Sequence, residues 1–313
     1  MTRWFLAVPL AVAVVFSWMR LVAEPFDVPR DEDYVQASAL LRAEGFDRAR
    51  DALVILPPWS LRPLTHVADL EPVSGDDIAD RPLHRFAHLW ALVEPDADSE
   101  RSALVARRGP PSWSRQVGRV VVERWDLPPP SVPYDLSAHL ADAQVRVAGD
   151  GDGVGATDHA GEKSESCTAV AGGWWRCGDA SWQRVRREWL HVSENADLAV
   201  FAHPPAKGRL ELTWRDVPIG QSVVVTAGFT RDGAAQAKGP VRLRVLVDGD
   251  LAGTVSRPPA FLFATDVVDT SRWAGRSGAI TIALDGGGSG GGSPQGDNAG
   301  AHFAFDAYVV RTP

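Results

Sequence analysis

From Trp182 to the end, apolar and polar residues alternate with a period of two. Leu210, Leu212 and Trp214 alternate with Glu211 and Thr213, and Val241, Leu243, Val245 and Val247 alternate with Arg242 and Arg244. Ile280, Ile282 and Leu284 share one parity, as do Phe303, Phe305, Ala307 and Val309. Successive side chains of a strand point to opposite faces, so this pattern puts one face of each strand in a core and the other in solvent. Turn signals such as Asp232-Gly233 and Asp248-Gly249-Asp250 separate the runs, without helix signals between them. Many short alternating strands of this kind predict an antiparallel β-sandwich of jelly-roll type. Gly286 to Gly296 (GGGSGGGSPQG) reads as a flexible hairpin connection. It lacks the Lys-Ser/Thr end of a phosphate loop.

The first half follows another rule. A helix is expected from about Asp31, where Asp31, Glu32 and Asp33 would favour the exposed amides of its first turn. Val35, Ala39, Leu40 and Ala43 would form its apolar stripe, with Gly45 ending it. Ala52 to Leu56, His88 to Val93 and Val117 to Trp125 are short apolar runs that read as buried strands. An Asp/Gly-rich turn (Ser74 to Asp77) and a helix from Pro82 lie between the first two, and Ala97 to Arg107 forms a helix before the third. Such alternation predicts a small α/β layer with partly parallel strands. Pro128-Pro129-Pro130 marks its end; Asp135 to Val147 adds a strand or edge, and Gly149 to Glu165 reads as loop.

Trp4 to Met19 carries no charge and lies between Arg3 and Arg20. A basic residue followed by an apolar run is an export pattern. With Leu21-Val22-Ala23 it approaches the ~20 residues of a membrane span, Arg20 snorkelling to the interface. Cleavage after Ala23 would put bulky Leu21 at a recognition position that wants a small residue, which favours a retained anchor over a cleaved signal. The chain past residue 23 holds all 40 acidic and 30 of the 32 basic residues, a formal charge of −10. That balance opposes capture by nucleic acid and docking of a polybasic patch on anionic lipid.

Cys167 and Cys177 are ten positions apart in a Gly-, Ser- and Trp-rich segment. In an oxidising compartment they are expected to pair. A metal would need two further ligands nearby, and a catalytic thiol a partner base; neither is evident. The expected fold class is therefore α+β and multidomain: a signal or anchor segment over 1–23, a small α/β domain over 24–130, a loop-rich connection with the disulfide over 131–181, and a β-sandwich over 182–313.

Phe201-Ala202-His203-Pro204-Pro205, Gly208 followed by Leu210 and Leu212, Val247-Asp248-Gly249 and Phe303-Ala304-Phe305-Asp306-Ala307 resemble the framework of galactose-binding-like, NPCBM-type jelly rolls of exported bacterial proteins, over Trp182 to Arg311. These are framework positions, so the resemblance implies a fold and names no ligand contact. Arg50 to Leu127 resembles the soluble segments attached to polytopic, protein-mannosyltransferase-like membrane enzymes. Those enzymes keep their catalytic acids on loops between membrane helices that this chain lacks, so the resemblance implies no catalytic role.

Four tryptophans, Trp174, Trp175, Trp182 and Trp189, surround the cysteines. Trp182 and Trp189 fit core positions. Trp174 and Trp175 cannot both point inward from an extended backbone. One of them is the candidate glycan platform, since an indole offers apolar area with polar character. Asp150, Asp152 and Asp158 resemble a calcium loop, but the fifth and twelfth positions counted from Asp150 are Val154 and Gly161, where a hand-type loop needs an oxygen ligand and Glu. A solvated turn is the favoured reading; calcium is the one cofactor that the sequence would fit. His84 and His88, four apart on the expected helix, would need a third ligand from Asp76, Asp77 or Asp80 to hold a metal. One packed and one exposed histidine is favoured. No Gly-x-Ser-x-Gly elbow and no recognisable carboxylate pair stands in the sequence.

The expectation is an extracytoplasmic, non-catalytic protein anchored to the inner membrane by residues 4–23, or secreted if the segment is cleaved. It would bind cell-envelope glycan or serve a membrane glycosyltransferase, without a nucleic-acid partner. The alternatives are a carbohydrate-active hydrolase and a structural protein-interaction module.

Overall fold

The computed structural model describes residues 28–73, 75, 78–79, 81–149, 165–180, 183–192, 196–205, 208–286 and 301–311. The anchor over 4–23, the calcium loop of Asp150, Asp152 and Asp158, Trp182, the acids Asp76, Asp77 and Asp80, and all but the first residue of the glycine-rich stretch lie outside them. Among the described residues no helix is long and apolar enough to cross a membrane. The chain divides into two compact units: residues 1–80 with 86–127, and residues 81–85 with 128–313.

The first unit is a four-stranded sheet with helices on both faces. β1 (Asp51–Leu56) pairs in parallel with β2 (His88–Val93), and β2 in antiparallel with β4 (Val120–Asp126), which pairs with β3 (Trp113–Val117). The expected strand over Val117 to Trp125 is thus a hairpin. Gly118, at φ +55°, opens its two-residue turn in a conformation that suits glycine.

Helix α1 (Asp31–Ala43) buries Tyr34, Ala37, Ser38 and Leu41, while Val35 stays more than half exposed. The expected stripe is therefore about one residue out of phase. The tyrosine can face inward because its phenol donates to the buried carboxylate of Glu94. Val120 and Val122 share the core with α1. Glu123, of opposite parity, takes three hydrogen bonds from Arg101 of α3 (Asp98–Arg108), which places α3 on the other face. No helix starts at Pro82; among the described residues the helical turns between β1 and β2 are α2 (Leu64–Val67) and a 3-10 turn over Ala68–Leu70.

The second unit is a β-sandwich. One sheet runs β16-β13-β18-β11-β10-β9-β8, with β5 added to β18; the other runs β15-β14-β17-β12-β6-β7. In chain order these are β5 (Tyr134–Asp135), β6 (Gln144–Ala148), β7 (Glu165–Ser166), β8 (Thr168–Val170), β9 (Trp174–Arg176), β10 (Arg184–His191), β11 (Ala196–Ala202), β12 (Arg209–Pro218), β13 (Ser222–Phe229), β14 (Val241–Val247), β15 (Asp250–Arg257), β16 (Ala264–Asp269), β17 (Ser277–Asp285) and β18 (Phe303–Val310). The alternating apolar residues of β12, β14, β17 and β18 form one core with Val223, Val225 and Trp273. Asp248 and Gly249 both have positive φ and close the tight β14–β15 hairpin.

Three expectations change here. Residues 131–181 are not a connection, since they supply β5 to β9 to both sheets. β17 and β18, the strands before and after the glycine-rich stretch, lie in different sheets and do not pair with each other as the expected hairpin would require. Asp232-Gly233 is no turn between strands but part of a short helix, α4 (Arg231–Gln236), capped by Thr230 Oγ1 accepting from Gly233 N.

Residues 81–85 form a strap on the outer face of the larger sheet. Asp306 and Tyr308 belong to that face, because Phe305, Ala307 and Val309 of the same strand point into the core. The guanidinium of Arg85 lies 2.9 Å from Asp306, 3.4 Å from Asp135 and 4.1 Å from the Tyr308 ring centroid. Tyr308 donates to the Pro82 carbonyl, and Arg81 meets Asp197 at 3.4 Å.

Candidate functional site

The Cys167–Cys177 disulfide closes a ribbon of two three-residue strands. Thr168 pairs with Arg176 and Val170 with Trp174, across a turn in which Gly172 and Gly173 both have positive φ. The cysteines stand opposite each other with their Cα atoms 4.3 Å apart, and their amides donate outward, to Val145 and Gln183. A loop of this length gives a bridge a chain-entropy contribution of about 3 kcal/mol. The strand pairing within this ribbon sets which way the two intervening indoles face.

They face apart. Trp175 pairs with Ala169 and Val185, packs against the sandwich core, and its indole Nε1 donates to the Leu140 carbonyl at 3.3 Å. Trp174 has the opposite parity and is half-buried, with the Arg176 guanidinium 5.7 Å from its ring centroid. Trp175 is thus a core anchor, and Trp174 is the indole on the outer face.

The same face carries a polar strip from β9 to β11. Arg176 stands opposite Arg184, and Arg184, Arg186 and Glu188 follow at intervals of two along β10. Arg184 reaches Glu188 at 3.0 Å and lies 5.2 Å from the ring centroid of buried Phe201; Arg186 approaches Glu188 at 3.8 Å and is about half exposed. Phe201 meets the His302 ring edge-on, and His302 meets His203. Among the described residues, three arginines and one glutamate stand on this face around Trp174, within an acidic chain. An indole beside forked N–H donors can stack a ring while the guanidinium groups hydrogen-bond its oxygens. Sequence reasoning missed these arginines. The signal was there in RVRREWLH, where Val185 marks the inward parity and Arg184, Arg186 and Glu188 the outward one.

The other candidates separate. Trp189 is not a core residue: it is exposed, on the part of β10 paired with β11 beyond Val200, where β11 no longer pairs with β18. His84 lies in a turn and gives its carbonyl to Ser131 N, and burial lowers its pKa. His88 starts β2 and sits in register between Asp51, 2.7 Å from its Nδ1, and Asp126. The two histidines share no helical face. Among the described residues no group of three His, Cys, Asp or Glu could hold a metal ion. Asp135 and Asp306 share the Arg85 guanidinium, an arrangement that anchors the strap. Burial raises the pKa of Asp135, Arg85 pulls it back and Asp306 pushes it up.

No family model and no curated protein matches the sequence. Solved structures do. The CBM51-2 and INT domains of Clostridium perfringens ZmpB, in complex with GlcNAc, are similar at 18% identity and a TM-score of 0.29, over 42% of this chain and 28% of that one. The CBM51 of Clostridium perfringens GH95, in complex with methyl-galactose, is similar at 12% identity and 0.26, over 37% and 72%. TmCBM61, in complex with β-1,4-galactotriose, is similar at 16% identity and 0.25, over 36% and 70%. All three are carbohydrate-binding modules. This chain spans well under two thirds of the ZmpB chain that it matches. The strand pairing, not this likeness, sets the fold described above.

Proposed function

We propose that this is an extracytoplasmic glycan-binding protein, held at the inner membrane by residues 4–23 and non-catalytic, which supports glycosyl transfer in the cell envelope. The observation that carries the binding is Trp174, presented on the outer sheet face beside Arg176, Arg184 and Arg186 by a disulfide-closed ribbon. The export-type segment and the formed disulfide support the location. The three arginines also change the expected ligand from a neutral glycan to one bearing carboxylate, phosphate or sulfate groups, which guanidinium forks accept bidentately.

Calorimetry against neutral and acidic envelope polysaccharides tests this. Acidic glycans should bind in a salt-dependent way, and Trp174→Ala should weaken binding by about 1–2 kcal/mol without unfolding the sandwich. Trp175→Ala should instead destabilise the fold. Absence of binding to every glycan would sink the reading, and release of reducing ends from a bound polysaccharide would replace it with the hydrolase.

A further inference from the structure

The exposed large apolar side chains of the first unit, among the described residues, are Val28, Val35, Trp59 and Leu61, each more than half exposed. Val28, Val35 and Leu61 lie beside contacts that fasten the segment where the chain enters the unit, and Trp59 is two residues before Leu61. Arg62, next to Leu61, donates to the Pro29 carbonyl at 2.8 Å and pairs with Asp31, and Val35 lies one helical turn beyond Asp31. On the other side Arg119 donates to the carbonyl of Val28 at 2.6 Å. We infer that this face of the α/β unit rests on the lipid surface.

The inference relies on the anchor proposed above. The apolar run ends at Met19, nine residues before Val28. Nine residues reach at most about 30 Å when fully extended. A unit of this size has a radius of gyration of about 14 Å, so so short a tether keeps the entry face near the headgroups. Trp59 supplies the amphipathic ring suited to that depth, and Val28, Val35 and Leu61 the apolar area around it. Charge does not drive the contact: Arg30, Arg62 and Arg119 are matched by Asp31, Glu32 and Asp33, with Asp31 paired to Arg62 and Asp33 accepting from Arg30 N. The contact is therefore indifferent to salt and to anionic lipid.

The chain has no free cysteine among its described residues and its two cysteines are bonded to each other, so single introduced cysteines can be labelled. Full-length protein carrying an environment-sensitive fluorophore at Val35→Cys, Trp59→Cys or Leu61→Cys, with Leu251→Cys and Val267→Cys on the sandwich as controls, is reconstituted into phosphatidylcholine vesicles. The three labels should shift to the blue and be quenched several-fold more than the controls by spin-labelled lipid, equally in high salt and with phosphatidylglycerol added. Protein that floats with the vesicles while these labels stay aqueous overturns the inference and leaves the anchor standing. Protein that does not float overturns the anchor and the inference with it. A blue shift that grows with protein concentration, without quenching by lipid, assigns the face to a second copy of the chain and overturns the lipid contact.

Discussion

Replacing Arg85 by methionine keeps much of its apolar stem and removes the guanidinium that lies between Asp306 and Asp135. In the native protein its guanidinium lies 2.9 Å from Asp306, 3.4 Å from Asp135 and 4.1 Å from the ring of Tyr308. The three charged side chains are 10–20% exposed. Breaking a buried pair by removing one partner costs about 3–5 kcal/mol, mostly because the remaining charge stays buried. Here two carboxylates are left, but their residual contact with water offsets part of the penalty, which sets the expected loss at about 4 kcal/mol. That is a large part of the ~5–15 kcal/mol that holds a domain folded. Amides of β18 and β13 that exchange only by global opening of the sandwich should then exchange about a thousandfold faster. Hydrogen exchange reads this unit separately, where a single melting curve would mix the two.

The pH dependence gives a second check. Burial already holds the Asp135 carboxyl above its unfolded value, and Arg85 is the main group pulling it down. Without Arg85 it should climb further. An acid with a raised folded pKa contributes stability that is complete below its unfolded value and is lost as pH rises through the folded one. The deficit of Arg85→Met should therefore be largest at neutral pH and shrink toward pH ~4. Adding Asp306→Asn should recover part of it at pH 7. An exchange rate that rises less than tenfold, or a deficit that does not change with pH, would refute the argument and reduce the strap to an adventitious contact.

The sandwich core was legible because one face of each strand is buried: the parity of Leu210, Leu212 and Trp214, or of Phe303 to Val309, can be read without knowing the partner strand. The disulfide was legible from two cysteines ten positions apart. What failed has common causes. The phase of α1 departs from the sequence pattern because Tyr34 and Ser38 count as polar in a sequence, while the structure buries the phenol against Glu94, 60 residues away. The hairpin at Gly118 was hidden inside a run of β-branched residues that reads equally well as one strand. Residues 131–181 looked like connection because β5, β7, β8 and β9 are two or three residues long, too short to show a period. The strap could not be foreseen, since nothing local to Arg81 to Arg85 points to Asp135, Asp197 or Asp306. For the candidate site, adjacency alone decided that Trp174 and Trp175 face apart. Which of them faces out depends on the pairing with Val185, and the arginine strip on the parity of β10.

Two further outcomes follow from the same geometry. A fragment beginning at residue 180 lacks β5 to β9 and should not fold by circular dichroism, whereas residues 128–313 with a peptide covering 81–85 added should be more stable than without it; a cooperative melt of the shorter fragment would show that the early strands are dispensable. The last concerns the chain's three tyrosines. Tyr34 is pushed up by burial and by its bond to Glu94, Tyr134 by burial, and Tyr308 by burial up to about 12 despite Arg85 nearby. A raised folded value means that the stability each phenol contributes is complete below its unfolded pKa of about 10 and is lost as pH rises through the folded one. The native protein should therefore show less phenolate absorbance at pH ~10 than the urea-unfolded chain, which is half titrated there. Above that, phenolate should appear together with loss of the β-sheet signal, because ionising Tyr308 adds a buried negative charge beside Asp306 and Asp135. A reversible phenolate step near the ordinary value, with the sheet intact, would mean that at least one of these rings is open to water and that the packing around it is not as described.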